Sequence, residues 1–234
     1  MINGSHLLPM TSNDKGLKWL PWIGKNYFKL PSNKRLFVVG ERHYRGDVPQ
    51  LIDYSINRNY IKWMIEDTME GNDWYRKEFS SLTKSILGED NIDYKEFWGQ
   101  VGFHHFIQKS LETADETPSE MDFEAGWRIF FDLIGKVNPG VCIFAGEQAA
   151  DFLESAINKV SGLRLTAFGK DGYPVDGVIP KYAEIKSDEG GPCQLIFIKQ
   201  YDKITHPEAW NAYLTQKIGK IITPLQDKRV LNSY

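Results

Sequence analysis

Cysteines, long apolar runs and an excess of basic charge are all scarce or missing in this chain of 234 residues. The two cysteines, Cys142 and Cys193, are too few for a disulfide framework, and their apolar surroundings favour buried thiols in a reducing compartment. No run of about 18 apolar residues occurs, so we expect no membrane span. The N-terminus also lacks the apolar core of a signal peptide, because Pro9 and polar residues soon follow Leu7 and Leu8. These features favour a cytoplasmic protein.

The charge balance and the length limit the functional classes further. A net charge of −3 gives no overall basic field, so contact with nucleic acid would need a local cluster of lysine and arginine. The chain shows no repeat, low-complexity tract or linker, and its length suits one α/β domain. We therefore expect a single, monomeric domain over residues 1–234, with residues 1–30 as an N-terminal extension packed on it.

The strongest signal that is present lies in the segment 36–47. Its apolar first part, LFVV, predicts a short buried strand of a parallel sheet, and ligands of such sheets bind just beyond the carboxyl ends of the strands. Gly40 allows the backbone to turn tightly there, so the charged residues that follow should reach one pocket rim together. Those residues are Glu41, Arg42, His43 and Asp47.

Hydrophobic patterning indicates alternating strands and helices along the rest of the chain. Two further apolar runs, 141–145 and 195–198, predict strands, and the first of them also ends in a glycine, Gly146. Because strand, glycine and helix follow one another twice, we expect a parallel sheet with right-handed crossovers. Helices are predicted over 51–86 with a break at 71–73, over 121–137, over 147–160 and over 208–220, and short strands over 163–185.

The order and spacing of three short motifs resemble the uracil-DNA glycosylase superfamily. The strand that ends at 40–41 is similar to the GQDPYH or GEAPG motif that opens the pocket in those enzymes. Segment 142–150 resembles the family's strand, glycine and helix start, and the His-Pro pair at 206–207 resembles the start of its HPS motif. Segment 103–107 stands where the family has a pocket-lining FTN-type segment. The resemblance implies a three-layer α/β/α sandwich with a central, mainly parallel four-stranded sheet.

The resemblance also implies a reaction. In that family the N-glycosidic bond of a deaminated or damaged base is hydrolysed after the base has been flipped out of DNA. A histidine would donate to the leaving base, and a carboxylate would orient water or support oxocarbenium-like charge on the sugar. No metal or cofactor is implied: two cysteines exclude the four-cysteine iron–sulfur branch, and the adjacent pair His104 and His105 does not suit a zinc site.

Three residues carry the catalytic roles that the resemblance implies. His206 stands at the family's histidine position as donor to the leaving base, with capping of the last helix as the alternative. Glu41 matches the glutamate of GEAPG, with an ion pair to Arg42 or Arg45 as the alternative. The GQDPYH enzymes carry their water-activating aspartate where this chain has Arg42. Asp47 could replace that carboxylate, or it could stabilise a turn beside the preceding glycine.

The predicted substrate-binding residues lie around the same motifs. Tyr44 would block larger bases, as the GQDPYH tyrosine does, and His43 replaces the family's proline. His105 stands where the family's asparagine reads the base edge, although an imidazole cannot copy the paired amide pattern that selects uracil. Trp210 could stack on nucleic acid, or it could pack in the core at the start of the last helix. The full set is Gly40, Arg42, His43, Tyr44, His105 and Trp210.

Two functional hypotheses follow from these residues. In the first, the protein is a DNA glycosylase that cleaves the N-glycosidic bond of a flipped-out base. In the second, the same fold is a binding module for a nucleotide, a nucleic acid or a protein partner, without hydrolysis. Because Arg42 and His105 depart from the family pattern, the sequence leaves the choice between enzyme and binding module open.

Overall fold

The computed structural model shows an α/β protein and describes residues 16–44, 57–71, 73–88, 92–113, 115–188 and 190–226. The helices are α1 (Tyr60–Glu70), α2 (Asp73–Leu87), α3 (Tyr94–Gln100), α4 (Glu120–Val137), α5 (Leu153–Ile157) and α6 (Pro207–Gln226). The strands are β1 (Trp22–Ile23), β2 (Leu36–Gly40), β3 (His43–Tyr44), β4 (Gly102–His105), β5 (Ser110–Leu111), β6 (Val141–Ala145), β7 (Leu163–Lys170), β8 (Lys181–Ser187) and β9 (Pro192–Ile198).

Seven of these strands form the main sheet, in the order β1-β4-β2-β6-β9-β8-β7. The central strands β4, β2, β6 and β9 run parallel, whereas β1 pairs antiparallel at one edge and β8 and β7 pair antiparallel at the other. The general α/β class is confirmed, but the predicted four-stranded sheet is corrected to a mixed sheet of seven strands. The four-strand count came from the family resemblance and equals the number of parallel strands, whereas the antiparallel strands β1, β7 and β8 add three more.

Two hydrophobic clusters, one on each face of the sheet, form the core. Along β2, Leu36 and Val38 pack with residues of α1, α2, α3 and α6, while Phe37 and Val39 pack with residues of α4 and α5. Successive side chains of a strand point to opposite faces, so a strand buried on both sides needs an unbroken apolar run. The LFVV sequence meets that need, and it places the end of β2 at the centre of the sheet.

The predicted helices are largely present, with revised ends. The helix predicted over 121–137 is confirmed as α4, and a reciprocal pair of hydrogen bonds between Ser119 and Asp122 caps its first turn. The region predicted over 51–86 contains α1 and α2, which separate at Gly71, where φ is +103°; residues 51–56 lie outside the described ranges. The last predicted helix is longer, and α6 contains a non-helical residue at Ile218. No helix within the described ranges is both long and apolar enough to cross a membrane.

The described part of the N-terminal extension belongs to the sheet and the core. Strand β1 pairs with β4, with Trp22 opposite Phe103. Trp19 and Tyr27 are fully buried, one beside each helical layer. This segment is therefore part of the domain's own packing, and Trp19 reaches the carboxyl end of β4.

Candidate functional site

The carboxyl ends of the parallel strands lie at one edge of the sheet. The parallel strands follow the chain order β2, β4, β6 and β9, but β4 lies on one side of β2 and β6 on the other. Ligands of such sheets bind outside the strand ends at the point where the strand order reverses. In this protein that point lies between the carboxyl ends of β2 and β6, and we call it the crevice. Glu41 follows β2 and Gly146 follows β6, so two of the predicted motifs meet there.

Glu41 is a buried carboxyl group at this crevice, with only 2% of the residue exposed. Its Oε2 accepts a hydrogen bond from the backbone N–H of Ala149 at 2.8 Å. Burial raises the pKa of Glu41 to about 7, and the hydrogen bond from Ala149 opposes that rise. Both protonation states are therefore populated near neutral pH, which is the condition for a general acid or base.

Gly146 makes room for this carboxyl group. A Cβ atom on residue 146 would lie 2.2 Å from the Cβ and 2.5 Å from the Cδ of Glu41, and φ at Gly146 is +145°. A 3-10 turn over Gln148–Phe152 begins just beyond the glycine. The first N–H groups of a helical turn have no partner within it, and Glu41 satisfies one of them. Residue 146 must therefore be glycine, because the side chain of Glu41 occupies the space that a Cβ atom would need.

A buried cluster of rings lies beside the crevice, at the end of β4. The Nε2 of His43 and the Oη of Tyr60 share a hydrogen bond of 2.8 Å. The His105 ring centroid lies 5.3 Å from that of His43 and 5.6 Å from that of Trp19. Gly40 permits this approach, because a Cβ atom there would lie 3.1 Å from the Nδ1 of His105. The structure therefore brings together three of the predicted substrate-binding residues: Gly40, His43 and His105.

His105 is fully buried, and within the described part of the chain neither of its ring nitrogens has a hydrogen-bond partner. Burial lowers the pKa of His105 well below its ordinary value and lowers the pKa of His43 to about 4, so both rings are neutral at pH 7. A neutral imidazole offers one donor and one acceptor. Unsatisfied buried polar atoms are uncommon in folded proteins, so the two ring nitrogens of His105 mark a place where a water molecule or a ligand would be stabilised.

Arg42 is held by a backbone oxygen, although its charge still acts to lower the pKa of Glu41. Its Nη1 donates to the backbone oxygen of Glu116 at 3.1 Å, and no salt bridge joins Arg42 to Glu41 where the structure describes both. The chain then forms β3, in which Tyr44 pairs with Leu111. The side chain of Tyr44, the second arginine proposed as a partner of Glu41 and the predicted carboxylate at Asp47 all lie outside what the structure describes.

His206 and Trp210 do not lie in the buried crevice. His206 precedes α6 with 64% of its side chain exposed, and its Nδ1 is 3.2 Å from Oε1 of Glu208. No hydrogen bond or ring contact within the described ranges joins His206 to Glu41. Trp210 is fully buried and packs perpendicular to Tyr213, with 5.8 Å between ring centroids. A buried indole has no face to offer a base, so the substrate-binding prediction for Trp210 is corrected to a packing role.

Sequence reasoning missed several residues that shape the crevice. Gln200 follows β9, donates from Nε2 to the backbone oxygen of Arg42 at 3.3 Å, and has a buried Oε1 without a partner among the described residues. Its position at the end of a parallel strand was an available signal. Tyr60 and Trp19 had none, since each matches an ordinary core position in its own segment.

His104 allows a test of these buried imidazoles. It is fully buried in β4, and burial lowers its pKa to about 3 from 6.5. As the pH falls, His104 is protonated in the unfolded chain before it is protonated in the folded protein. The free energy of unfolding therefore decreases as the pH falls below 6.5. Replacing His104 by leucine should make the acid limb of a stability–pH curve shallower, with a gain relative to the wild type of about 2 kcal/mol at a pH of about 5. Thermal melts across pH check this. A His104→Leu curve parallel to that of the wild type would contradict the burial argument.

The crevice offers no evident metal site: within the described ranges, no three or more His, Cys, Asp or Glu side chains are grouped so that they could hold an ion. Glu41, His43 and His105 are instead held by backbone and ring contacts. No protein-family model matches this chain, and no curated protein matches it either, so its chemistry has to be argued from the crevice itself.

Proposed function

We propose that this protein binds a nucleobase at the crevice between β2 and β6 and hydrolyses its N-glycosidic bond, with Glu41 as the working carboxyl group. The observation that carries the proposal is the burial of Glu41 at the point where the strand order reverses, with a pKa of about 7. Ionisable groups with strongly shifted pKa values in clefts are concentrated at functional sites. Among the described residues no ion pair neutralises this carboxyl group, so its ionised form costs stability, and a chemical role accounts for that cost.

The ionised form of Glu41 fits the demands of this reaction. Cleavage of a glycosidic bond builds positive charge on the sugar, and a carboxylate stabilises that charge or takes a proton from the attacking water. The hydrogen bond from Ala149 fixes one carboxylate oxygen in place. A carboxylate that is already held in place loses little conformational entropy in the transition state. The hydrogen bond from Ala149 therefore favours catalysis by Glu41.

The polar atoms left without partners would select the base. His105 offers one donor and one acceptor, and Gln200, whose Nε2 donates to the backbone oxygen of Arg42, offers a buried acceptor oxygen. The edge of a nucleobase carries donors and acceptors side by side, so these atoms can pair with it. His206 follows β9 at the same edge of the sheet, and in this proposal it would meet the substrate from the solvent side.

Binding without hydrolysis is the second candidate, and the placement of His206 favours it. An exposed ring paired with Glu208 is not held where a leaving base would need a donor. Arg42 stands where the GQDPYH enzymes carry their water-activating aspartate, so that carboxylate is missing here. The Arg42 guanidinium donates instead to the backbone oxygen of Glu116. If Glu41 acts without a second carboxylate, the protein recognises a base and leaves its bond intact.

Incubation with oligonucleotides separates the two candidates. Single- and double-stranded DNA containing uracil, hypoxanthine or xanthine is treated with the protein and then with alkali, which cleaves abasic sites. Hydrolysis predicts a cleaved strand for at least one base from the wild type and none from Glu41→Gln. Glu154→Gln, which removes an exposed carboxylate on α5, is the matched control and should retain activity. Absence of abasic product from every substrate, with a free base still bound, would leave the binding module.

A further inference from the structure

The connection between β7 and β8, residues 171–180, is held against α6 at its first residue. Asp171 accepts hydrogen bonds from the Oη of Tyr213 at 2.5 Å and from the Nζ of Lys217 at 2.7 Å, both on α6. Its backbone N–H also donates to the oxygen of Pro180 at 2.9 Å, which closes the base of the loop. The loop therefore leaves and re-enters the sheet at a fixed place beside α6.

Asp176 anchors the tip of the same loop. Only 3% of its side chain is exposed, and its carboxylate accepts hydrogen bonds from the backbone N–H of Thr205 at 2.9 Å and from the hydroxyl of Thr205. The Nζ of Lys199 lies 3.2 Å away. Burial alone would raise the pKa of Asp176, but these hydrogen bonds outweigh it and lower the pKa. The tip is thus tied to the segment that carries His206.

Tyr173 lies between these anchors with 84% of its surface exposed. The turn at the tip is tight, since Val175 and Val178 exchange two backbone hydrogen bonds and Asp176 has φ of +49°. A tyrosine held on a rigid loop offers a flat ring at low entropic cost to a partner. This ring is far more exposed than is usual for an aromatic side chain in a fold whose other large rings are mostly buried.

The charges near the loop give only a weak electrostatic attraction to the phosphates of a nucleic acid. Both carboxylates of the loop, Asp171 and Asp176, are paired, and Lys170 and Lys203 are exposed with no salt bridge among the described residues. Against them stand the exposed carboxylates at 202 and 208. Stacking rather than charge would therefore supply most of the affinity for a nucleic acid.

We propose that the 171–180 loop contacts single-stranded nucleic acid, with the ring of Tyr173 stacked on a base of the strand that enters the crevice. This inference rests on the proposed function, because it takes a nucleic-acid strand as the molecule that brings the base to Glu41. It replaces the stacking role that the sequence had suggested for Trp210, which lies in the core. Asp176 is a positioning residue in this arrangement, since it fixes the loop against the His206 segment.

Fluorescence anisotropy with a labelled strand of about 15 thymidines tests the inference, because sites on single strands span about 4–16 nucleotides. Tyr173→Ala should weaken binding by about tenfold, which corresponds to about 1.4 kcal/mol, whereas Tyr173→Phe keeps the ring and should bind within about twofold of the wild type. Phe28→Ala, which removes an exposed aromatic ring in the 3-10 turn Tyr27–Lys29, is the matched control and should leave binding unchanged. Because only two lysines, Lys170 and Lys203, would contact phosphates, a fourfold rise in salt concentration should weaken binding by only about sevenfold.

Several results would overturn the inference. These are no binding of the strand by the wild type, equal binding by Tyr173→Ala, or an equal loss in Tyr173→Phe. Far-UV circular dichroism and a thermal melt establish that the exposed substitution leaves the fold intact. If Tyr173→Ala loses binding while no base is ever excised, the contact stands and the proposed hydrolysis fails. If excision occurs with the same KM in Tyr173→Ala, the hydrolysis stands and the contact fails.

Discussion

Replacing Gly146 by alanine should lower the free energy of unfolding by about 3 kcal/mol or more, a large part of the about 5–15 kcal/mol that is typical of a folded domain. The new Cβ atom would lie 2.2 Å from the Cβ of Glu41, and φ of +145° is strained for any residue with a side chain. Neither backbone can easily move away. Gly146 N–H donates to the oxygen of Ile198 at 2.9 Å, and Glu41 N–H donates to the oxygen of Ala145 at 3.1 Å.

Gly135→Ala is the control for this prediction. Gly135 lies in α4, and a Cβ atom added there would meet nothing within 4 Å. Alanine is the better helix former, so this variant should be more stable than the wild type by up to about 1 kcal/mol. Urea unfolding followed by tryptophan fluorescence measures both changes. Equal stability of the two variants would show that the contact between Gly146 and Glu41 is not required.

Glu41→Gln should stabilise the protein at alkaline pH by about 3 kcal/mol while leaving it unchanged near pH 4.5. The folded-state pKa of Glu41 is raised from 4.5 to about 7 by burial, so the folded state binds the proton more tightly than the unfolded chain does. The stability that this proton contributes is present below pH 4.5 and is lost as the pH rises through about 7. Glutamine never ionises, and its amide oxygen can still accept the hydrogen bond from Ala149.

The measurement is the unfolding free energy of both proteins from acid to alkaline pH. The difference between them should grow between pH 4.5 and about 7 and then level off. Glu154→Gln, which removes an exposed carboxylate on α5, is measured alongside as the control substitution. A constant difference for Glu41→Gln would mean that the carboxyl group is better solvated than its burial indicates.

The crevice could be predicted because its signal is local. An apolar run ended by glycine and followed by a charged residue predicted where β2 stops, and the same pattern predicted the end of β6. Parallel pairing of the two strands then brings Glu41 and Gly146 together, since the carboxyl ends of neighbouring strands share one edge. Burial of Glu41 followed from no part of the sequence, because it depends on the turn at 148–152 closing over the carboxylate.

The outer parts of the proposed site could not be predicted for a physical reason. His206 and Trp210 are four residues apart, yet one side chain is exposed and the other is fully buried. Residues four apart within a helix share a face, but His206 precedes α6, so helical spacing does not fix where its side chain points. The anchoring of the 171–180 loop depends on Asp176 meeting Thr205, 29 residues away. Contacts of that range leave no periodic signal.

Single-turnover excision of a base, compared between wild type and Glu41→Gln from a pH of about 5 to about 9, tests the central claim most directly. If the ionised carboxyl group of Glu41 acts on water or on the sugar, the wild-type rate should rise with pH and level off above about 7. Glu41→Gln should be slower by about 100-fold or more at the plateau, with Glu154→Gln unaffected. A wild type that yields no abasic product with any base, or a Glu41→Gln variant that keeps the wild-type rate, would contradict the account.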